Sequence, residues 1–409
     1  MSRIAGCRSC GFAQLEPLLD LGAQPLANAL LTQDDLARPE PRYPLELVFC
    51  PVCALVQITE DVPPEQLFGH YLYFSSYSDS FVEHARALAE RLVAERGLGP
   101  RSLVVEAASN DGYLLQHYRA RQVPVLGIEP AANVAEAARA RGLETRCAFF
   151  GRELAARLAK EGLRADVFHA HNVLAHVPDL HGFLEGVALL LAPDGLAVIE
   201  VPDVREMAVR LAFDTIYHEH LCYFSLNALA PLCEGHGLAV AAVEELPVHG
   251  GSLRVFLARA GTERPAASVD ARLARELWWG LDRSQFFVDF GARVEALRRS
   301  LRERLEALAR EGLRLAGYGA AAKATVLLNA LDLPPGRLEF VADRSPHKQG
   351  RFIPGVRVPV RPPVALLDEK PDVVLLLAWN LRDEVLEQQA EYRRRGGRFL
   401  VPLPEVQLL

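Results

Sequence analysis

The sequence contains no uninterrupted apolar run near the roughly 18 residues that a membrane-spanning helix requires. It also lacks the charged and then apolar N-terminal segment that is typical of a secretory signal peptide. Its 45 lysines and arginines are outnumbered by 52 aspartates and glutamates, so the basic excess of a nucleic-acid-binding protein is missing. These absences predict a cytoplasmic protein that binds neither a membrane nor a nucleic acid.

Cysteine is scarce, with seven residues, but four of them form two closely spaced pairs. Cys7 and Cys10 make one C-x-x-C pair, and Cys50 and Cys53 make another. In a cytosolic chain this doubled pattern favours a metal site over disulfides. Four thiolates complete the tetrahedral coordination of zinc and leave no position for a catalytic water. We therefore expect one structural zinc in a small N-terminal module, residues 1–65.

After this module, buried apolar segments alternate with helical patterns. The strand-like segments lie at 102–112, 123–130, 165–179, 195–203, 238–246 and 252–260. This alternation predicts a mostly parallel sheet with right-handed crossovers, closed by a final antiparallel pair. We expect this central, Rossmann-like domain to cover residues 66–285.

A helical stretch at 290–312 leads into a second alternating unit. Its segments at 313–331, 338–350, 371–380 and 397–404 begin with a strand, a glycine turn and a helix. They predict a smaller C-terminal Rossmann-like domain over residues 286–409. A chain of 409 residues usually has two or three domains, so the α/β class with three parts agrees with the length.

The segment "VVEAASNDGYL" (104–114) has the pattern of a nucleotide site at the carboxyl end of a strand. Small residues let a ligand approach the backbone, and a helix N-terminus follows. Glu106 ends this strand and Glu129 ends the next one, where an acid accepts hydrogen bonds from ribose hydroxyls. NAD and S-adenosylmethionine (SAM) both suit this arrangement.

Three features favour SAM, with a nicotinamide cofactor as the second candidate. The turn lacks the G-x-G-x-x-G spacing of the dinucleotide fingerprint. Asn172 follows the strand that begins at 165, in a position to line the methionine end of SAM. The final antiparallel pair is typical of methyltransferase sheets.

A series of short motifs occurs in one order along the chain. They are "CRSC…FCPVC", "YFSSYSDS", "EAASNDG", "NVLAHVPD", "FDTIYHEHLCYFS", "VHGGSLRV", "GYGAAAK", "DRSPHKQG" and "LAWN". In this order they resemble the SAM-dependent sugar C-methyltransferases, which methylate carbon 3 of dTDP-linked 4-keto deoxysugars. The resemblance covers essentially the whole chain. It departs from the family's E-x-G-S-N-D-G loop at one position, where this chain has Ala108.

The resemblance implies a class I SAM-methyltransferase domain at the centre and a nucleotide-sugar substrate of antibiotic or surface-glycan biosynthesis. The residues expected to bind SAM are Glu106, Ser109, Asn110, Gly112, Glu129, Pro130 and Asn172.

Methylation of a carbon requires a carbanion equivalent, and a neighbouring ketone makes the carbon-bound proton acidic enough to give an enolate. The enzyme then needs a general base, donors for the enolate oxygen and an aligned methyl donor. The resemblance places the base on His220, with Tyr217 and Glu219 as partners. Neighbouring side chains point different ways, so we expect the pairing of Glu219 with His220 to be indirect. Tyr217 is alternatively a donor to the keto oxygen, and His176 is expected to donate to the enolate.

The segment "YHEHLCYF" is not expected to be a metal site. The zinc-protease pattern H-E-x-x-H requires a histidine at position 222, where this chain has Cys222. We expect His218 and Cys222 to be packing residues.

The substrate-side candidates lie before, within and after the central domain. They are Tyr71, Tyr77, His249, Gly250, Gly251, Lys323, Lys348 and Asn380. The sequence does not choose between Tyr71 and Tyr77 as the contact to the sugar. The glycine pair permits close approach to the sugar or to SAM. Lys323 suits a pyrophosphate, although a structural role is equally open for each C-terminal candidate.

Two rival functions stay open at this point. The glycine turn of "GYGAAAK" also suits an NAD(P)-dependent nucleotide-sugar reductase. The cysteine pairs also suit a zinc-ribbon protein that recruits nucleic acid, although the acidic charge balance counts against it.

Overall fold

The computed structural model describes residues 2–68, 71 and 74–409, except for the side chains of Phe68 and His249. Within these residues the chain forms sheets of two, four, seven and six strands with helices around the two larger ones. The predicted α/β class, with a cysteine-bearing module before two Rossmann-like parts, is confirmed.

The strands are β1 (Ser2–Arg3), β2 (Glu16–Gln24), β3 (Tyr43–Phe49), β4 (Val56–Ile58), β5 (Glu60–Asp61), β6 (Val104–Ala107), β7 (Val125–Ile128), β8 (Thr145–Arg146), β9 (Ala165–His171), β10 (Leu191–Pro202), β11 (Cys222–Tyr223), β12 (Leu238–Leu246), β13 (Ser252–Arg259), β14 (Leu315–Tyr318), β15 (Val341–Ala342), β16 (Val360–Arg361), β17 (Val373–Leu376), β18 (Arg398–Val401) and β19 (Gln407–Leu408).

The helices are α1 (Pro64–Phe68), α2 (Asp79–Arg96), α3 (Leu115–Ala120), α4 (Ala132–Ala140), α5 (Arg152–Lys160), α6 (Leu180–Leu190), α7 (Val204–Val209), α8 (Leu226–Glu234), α9 (Ala267–Trp279), α10 (Phe290–Arg310), α11 (Ala322–Leu331), α12 (Ala365–Glu369), α13 (Arg382–Gln388) and α14 (Ala390–Arg394). Short 3₁₀ turns lie at Asp34–Ala37, Ser75–Tyr77, Leu174–His176, Phe213–Thr215, Val248–Gly250, Ser284–Phe287 and Trp379–Leu381. None of the helices that the structure describes is long and apolar enough to cross a membrane.

The N-terminal sheet has the order β11-β4-β3-β2 and is antiparallel throughout. Its edge strand β11 comes from the central part of the chain, because Cys222 pairs with Gln57 and Tyr223 with Val56. The sequence did not predict that a central segment of the chain would supply a strand to the N-terminal sheet. This strand joins the N-terminal module directly to the "FDTIYHEHLCYFS" segment.

The central sheet has the order β12-β13-β10-β9-β6-β7-β8. Strands β6 to β10 pair in parallel, and the predicted closing pair β12 and β13 is antiparallel. Strands such as β6 and β9 read as nearly continuous buried runs because helices cover both faces of the sheet. The carboxyl ends of β6, β7 and β9 therefore meet at one edge, where ligands of open α/β sheets bind.

The C-terminal sheet has the order β16-β15-β14-β17-β18-β19, with parallel pairs except for the antiparallel strand β19. Helix α10 precedes it and buries a stripe with helical spacing: Phe290, Val294, Leu297, Leu301, Leu305 and Leu308. The limits of the three domains, 1–65, 66–285 and 286–409, stay a prediction.

Candidate active site

The four cysteines of the two C-x-x-C pairs lie together, with all sulfur atoms within 4.8 Å of one another. Cys7 and Cys53 are 3.5 Å apart, and Cys10 and Cys50 are 3.4 Å apart. A zinc ion with Zn–S bonds of about 2.3 Å needs sulfur atoms about 3.8 Å apart, so the set fits one zinc. Gln57 on β4 donates to the Cys7 sulfur at 3.1 Å, as outer partners of metal ligands commonly do.

The turn between β6 and α3 folds through the left-handed region. Ala108, Asn110 and Gly112 have φ angles of 48°, 51° and 81°. The carboxylate of Glu129, at the end of β7, accepts from the backbone N–H of Asn110 and from that of Ala131, both at 2.9 Å. Glu129 therefore holds the turn to the start of α4.

The donors and acceptors at this edge fit SAM. Each carboxylate oxygen of Glu129 has a second lone pair, which leaves acceptor capacity for ribose hydroxyls. Burial raises the pKa of Glu129 to about 7, and the two backbone amides oppose that rise. Asn172 follows β9 with a φ of 55°, and its backbone N–H donates to the Glu200 carbonyl at 2.8 Å. Pro130 is half-buried beside Glu129 and accepts from the Cys147 thiol at 3.6 Å.

Two predicted cofactor residues lie behind this edge. The hydroxyl of Ser109 is fully buried and packs against Gly127, where a Cβ would lie 2.5 Å from it. Glu106 is 1% exposed, and burial together with the carboxylates of Glu129, Asp111 and Glu200 raises its pKa well above the usual range.

Residues 74–77, here called the strap, lie across the turn. The backbone N–H of Ser75 donates to the Asn110 side chain at 2.9 Å, and the Ser76 hydroxyl donates to the Asp111 carboxylate. Arg141, directly after α4, donates to the Ser76 hydroxyl at 3.0 Å and pairs with Asp111 at 3.2 Å. The strap is thus fixed by the same residues that form the turn.

A cleft of about 470 Å³ opens between the strap, α4 and the C-terminal domain. Tyr77 and Arg141 line it, and the ring of Phe74 stacks on His347 with 4.6 Å between centroids. The cleft therefore offers aromatic faces and a cation next to the carboxyl edge of the central sheet.

The segment 213–223 contains a relay of hydrogen bonds around His220. Its Nε2 lies 2.8 Å from the Tyr217 hydroxyl, and its Nδ1 lies 2.9 Å from the Thr215 carbonyl oxygen. A carbonyl oxygen only accepts, so Nδ1 carries the proton and Nε2 presents its lone pair to the Tyr217 O–H. The Thr215 carbonyl therefore selects the neutral tautomer of His220 in which the Nε2 lone pair faces Tyr217.

The ring of His176 lies edge-on to His220, with 4.7 Å between the centroids. Burial lowers the pKa of His176 to about 4, while backbone contacts to Glu219 and Asn172 oppose that change. At neutral pH His176 is accordingly uncharged.

The carboxylate of Glu219 points away from His220, towards other parts of the chain. Asn28 Nδ2 lies 2.8 Å from each of its oxygens, and the Tyr71 hydroxyl donates to Oε2 at 3.3 Å. Burial raises the pKa of Glu219 to about 7, and the donors from Asn28 and Tyr71 oppose that rise. Of the two tyrosine candidates, Tyr71 reaches this group, whereas Tyr77 lines the cleft.

Backbone bonds hold the segment on both sides. The N–H of Leu221 donates to the Ala175 carbonyl at 2.7 Å, and the N–H of Ile58 on β4 donates to the Leu221 carbonyl at 3.0 Å. His218 packs against the N-terminal module through a 3.0 Å contact between its Nε2 and the Pro44 carbonyl. Cys222 is fully buried on β11.

The C-terminal domain reaches the same segment through Trp379. Its indole N–H donates to the carboxylate of Asp214 at 2.7 Å. Lys323 lies over the indole ring at 4.8 Å and donates to the Asn380 side chain at 3.1 Å. Burial raises the pKa of Asp214 to about 6, and Lys323 and Trp379 oppose that rise.

The remaining substrate candidates have structural neighbours. Lys348 donates to the Ala320 carbonyl at 2.9 Å inside the C-terminal domain. Gly250 has a φ of 95°, and a Cβ there would lie 3.1 Å from the Trp379 ring. Gly251 has a φ of 121°, and a Cβ there would lie 2.5 Å from the Glu206 side chain. The side chain of His249 lies outside the described part of the structure.

Sequence reasoning missed three residues of the site: Asn28, Asp214 and Trp379. Asp214 lies in the motif "FDTIYHEHLCYFS" and Trp379 in the motif "LAWN", so their positions within motifs could have marked them as candidates. Asn28 lies between the cysteine pairs in a segment without a motif.

The fold and the site together define a class: a SAM-dependent methyltransferase with an N-terminal zinc-binding module. Three family models match the chain: "Putative zinc binding domain" over residues 7–68, "Methyltransferase domain" over 81–243 and "C-methyltransferase C-terminal domain" over 247–404.

C-methyltransferase NovU of Streptomyces niveus is 39% identical over 406 residues, which covers 98% of this chain and 96% of NovU. The chain therefore belongs to the C-methyltransferase family. The predicted activity class, SAM-dependent C-methyl transfer, is confirmed, and it is favoured over both rival functions.

Solved structures give weaker likenesses. Magnesium protoporphyrin IX methyltransferase (ChlM) of Synechocystis PCC 6803 with bound SAM is 15% identical with a TM-score of 0.34, covering 44% of this chain and 79% of that one. The CcbJ methyltransferase of Streptomyces caelestis is 12% identical with a TM-score of 0.34, covering 43% of this chain and 90% of that one. Likenesses at these TM-scores carry no argument about the substrate.

Proposed function

We propose that the chain methylates carbon 3 of a dTDP-linked 4-keto deoxysugar, with His220 as the final acceptor of the carbon-bound proton. The observation that carries this proposal is the relay from the Tyr217 hydroxyl through His220 to the Thr215 carbonyl. In the neutral ring with the proton on Nδ1, the Nε2 lone pair faces the Tyr217 hydroxyl, which is the form that a general base requires.

We propose that the proton follows this relay. The proton leaves carbon 3 for the Tyr217 oxygen while the Tyr217 proton moves to His220 Nε2. The C–H electron pair becomes the carbon–carbon double bond of the enolate, and the carbonyl pair moves onto the oxygen. The Thr215 carbonyl stabilises the imidazolium that forms, because Nδ1–H donates to it.

His176 suits the role of a donor to the enolate oxygen. Its low pKa keeps it neutral, so it stabilises developing negative charge without neutralising His220 as a base. Its edge-on contact with His220 places both rings at the carboxyl end of β9.

SAM, when bound, supplies the methyl group that the enolate carbon takes up as the ketone is restored. We propose that Glu129, Asn110 and Asn172 hold it, since their acceptors and left-handed backbone lie at one edge of the sheet. The strap covers this edge and limits the access of water.

The cleft beside the strap supports a nucleotide carrier. Phe74, Tyr77 and His347 offer faces on which a base can stack, and Arg141 offers a guanidinium for phosphate oxygens. Lys323 and Asn380 lie deeper in the C-terminal domain, against Trp379. We propose that this side binds the dTDP group.

The test is a screen of 4-keto nucleotide sugars with SAM, read by mass for a gain of one CH2 on the sugar. We expect the dTDP-linked 4-keto deoxysugar to react and its 4-hydroxy counterpart, which forms no enolate, to stay unchanged. Methylation of the 4-hydroxy compound, or no product from any 4-keto sugar, would overturn the proposal. Saturable NAD(P) binding without SAM binding would instead support the reductase.

A further inference from the structure

The N-terminal module sends a segment, residues 25–31, between the active site and the C-terminal domain. The Thr325 hydroxyl on α11 donates to the Ala27 carbonyl at 2.8 Å. Leu31 and Phe352 exchange two backbone hydrogen bonds of 2.9 Å. The C-terminal domain therefore holds the segment on both sides of Asn28, at Ala27 and at Leu31.

The middle of this segment faces Glu219. The side-chain amide of Asn28 lies 2.8 Å from both carboxylate oxygens. Glu219 is only 2% exposed, so water does not take the place of these donors. A buried carboxylate is costly unless such donors satisfy it, so Asn28 determines whether Glu219 is held ionised and in place.

We propose that Asn28 is a positioning residue for methyl transfer, which holds the Glu219 carboxylate and thereby fixes the adjoining His220 in the segment 217–220. The active site is then complete only when residues 25–31 of the N-terminal module lie against it. The inference concerns the C-methyltransferase reaction itself and does not depend on which sugar is the substrate.

The alternative is that Asn28 merely fills space. Asn28→Ala separates the two roles because it removes the N–H donors without adding charge, whereas Asn28→Asp keeps the size but removes the donors and sets a second carboxylate against Glu219. The titratable groups around Glu219 are Tyr71 before α2, His176 after β9, and the neighbouring His218 and His220. Each of them is kept in the variants below.

The experiment compares the variants Asn28→Asp and Asn28→Ala with Gln33→Glu. The control variant Gln33→Glu adds an exposed carboxylate to the same connection between β2 and β3, away from Glu219. In the Asn28 variants we expect kcat for methyl transfer to fall on the order of tenfold or more, with less change in KM for SAM. Loss of the donors raises the pKa of Glu219, so the acidic limb of the kcat profile moves to higher pH. Gln33→Glu should leave kcat and the acidic limb of its pH profile unchanged.

A second readout needs no substrate, which separates this inference from the proposed function. In protein labelled with carboxyl-13C glutamate, the Glu219 signal is the one that Glu219→Gln removes. Its titration midpoint should rise in Asn28→Ala, or in Asn28→Ser if the alanine variant does not fold. A midpoint and a kcat profile equal to those of the unmodified enzyme would overturn the proposal, even if the sugar assignment were correct.

Discussion

At the scale of single residues, a backbone atom sets the neutral tautomer of His220. The Thr215 carbonyl binds Nδ1–H and thereby turns the lone pair of Nε2 towards Tyr217. The sequence predicted both side chains of this pair, because they stand in a motif. It could not predict the carbonyl, because every residue has one and only the folded turn decides where it points.

Replacement of His220 by asparagine removes the proton acceptor but keeps a polar side chain. We expect methyl transfer and deuterium exchange at carbon 3 of the sugar to fall by roughly 10²–10⁴-fold. SAM affinity, measured by calorimetry, should stay nearly unchanged, since the cofactor residues lie elsewhere. His236→Asn, at the surface near His181, is the control. Exchange at the normal rate in His220→Asn would exclude His220 as the base.

Ala108 is the one departure from the family's SAM loop, and it has a φ of 48°. A non-glycine residue in this region is strained by about 1–2 kcal/mol, while glycine loses about 0.4–1 kcal/mol more conformational entropy on folding. We therefore expect Ala108→Gly to stabilise the protein by up to about 1 kcal/mol in urea unfolding. Ala107→Gly, in the neighbouring strand, should destabilise it. A loss of stability in Ala108→Gly would contradict this account.

At the scale of secondary-structure elements, the two-residue strand β11 has an importance beyond its length. It pairs with β4 of the N-terminal sheet, directly after His220 in the chain. Strand β4 follows the cysteine cluster and carries Gln57, which donates to Cys7. The zinc module therefore helps to fix the position of the segment that contains His220. Long-range pairing of such short strands leaves no periodicity in the sequence, so only the structure reveals it.

Loss of the metal should therefore disturb the active site and lower its activity. We expect Cys53→Ser to lower the zinc content from about one ion per chain and to reduce methyl transfer strongly. Cys147→Ser, at an exposed cysteine outside the cluster, should keep both zinc and activity. Metal analysis by mass spectrometry and the methyl-transfer assay check this prediction. A folded, fully active Cys53→Ser enzyme without zinc would refute the link.

At the scale of the whole molecule, all three parts of the chain contact the site. Asn28 comes from the N-terminal module, His220 from the central domain and Trp379 from the C-terminal domain. Asp214 joins the last two, since its carboxylate accepts from the Trp379 indole. Among the described residues its second oxygen has no hydrogen-bond partner, so the charge of Lys323 and the indole bond together compensate for its burial.

The variant Trp379→Phe tests this connection. It keeps an aromatic ring but removes the donor to a fully buried carboxylate, which should cost about 1–3 kcal/mol of stability. Trp278→Phe, at a tryptophan that is 83% exposed, should change stability by less than about 0.5 kcal/mol. Thermal unfolding checks both. Equal melting temperatures for the two variants would argue against a structural role for the indole bond.

The sequence by itself determined the parts of this protein. Periodicity gave the parallel sheets and the closing pair β12 and β13, and spacing gave the cysteine cluster. Motif order gave the family and the chemical residues of the segment that contains His220. These are local properties, since propensity, spacing and side-chain chemistry act over a few neighbouring positions.

Only the tertiary structure decided how the parts meet. It directed Glu219 towards Asn28 and Tyr71, turned Ser109 into the sheet, and placed Trp379 on Asp214. Each of these contacts joins residues far apart in the chain, and its existence depends on which surfaces are buried together. A buried polar group needs a partner, but the sequence does not say which distant residue supplies it.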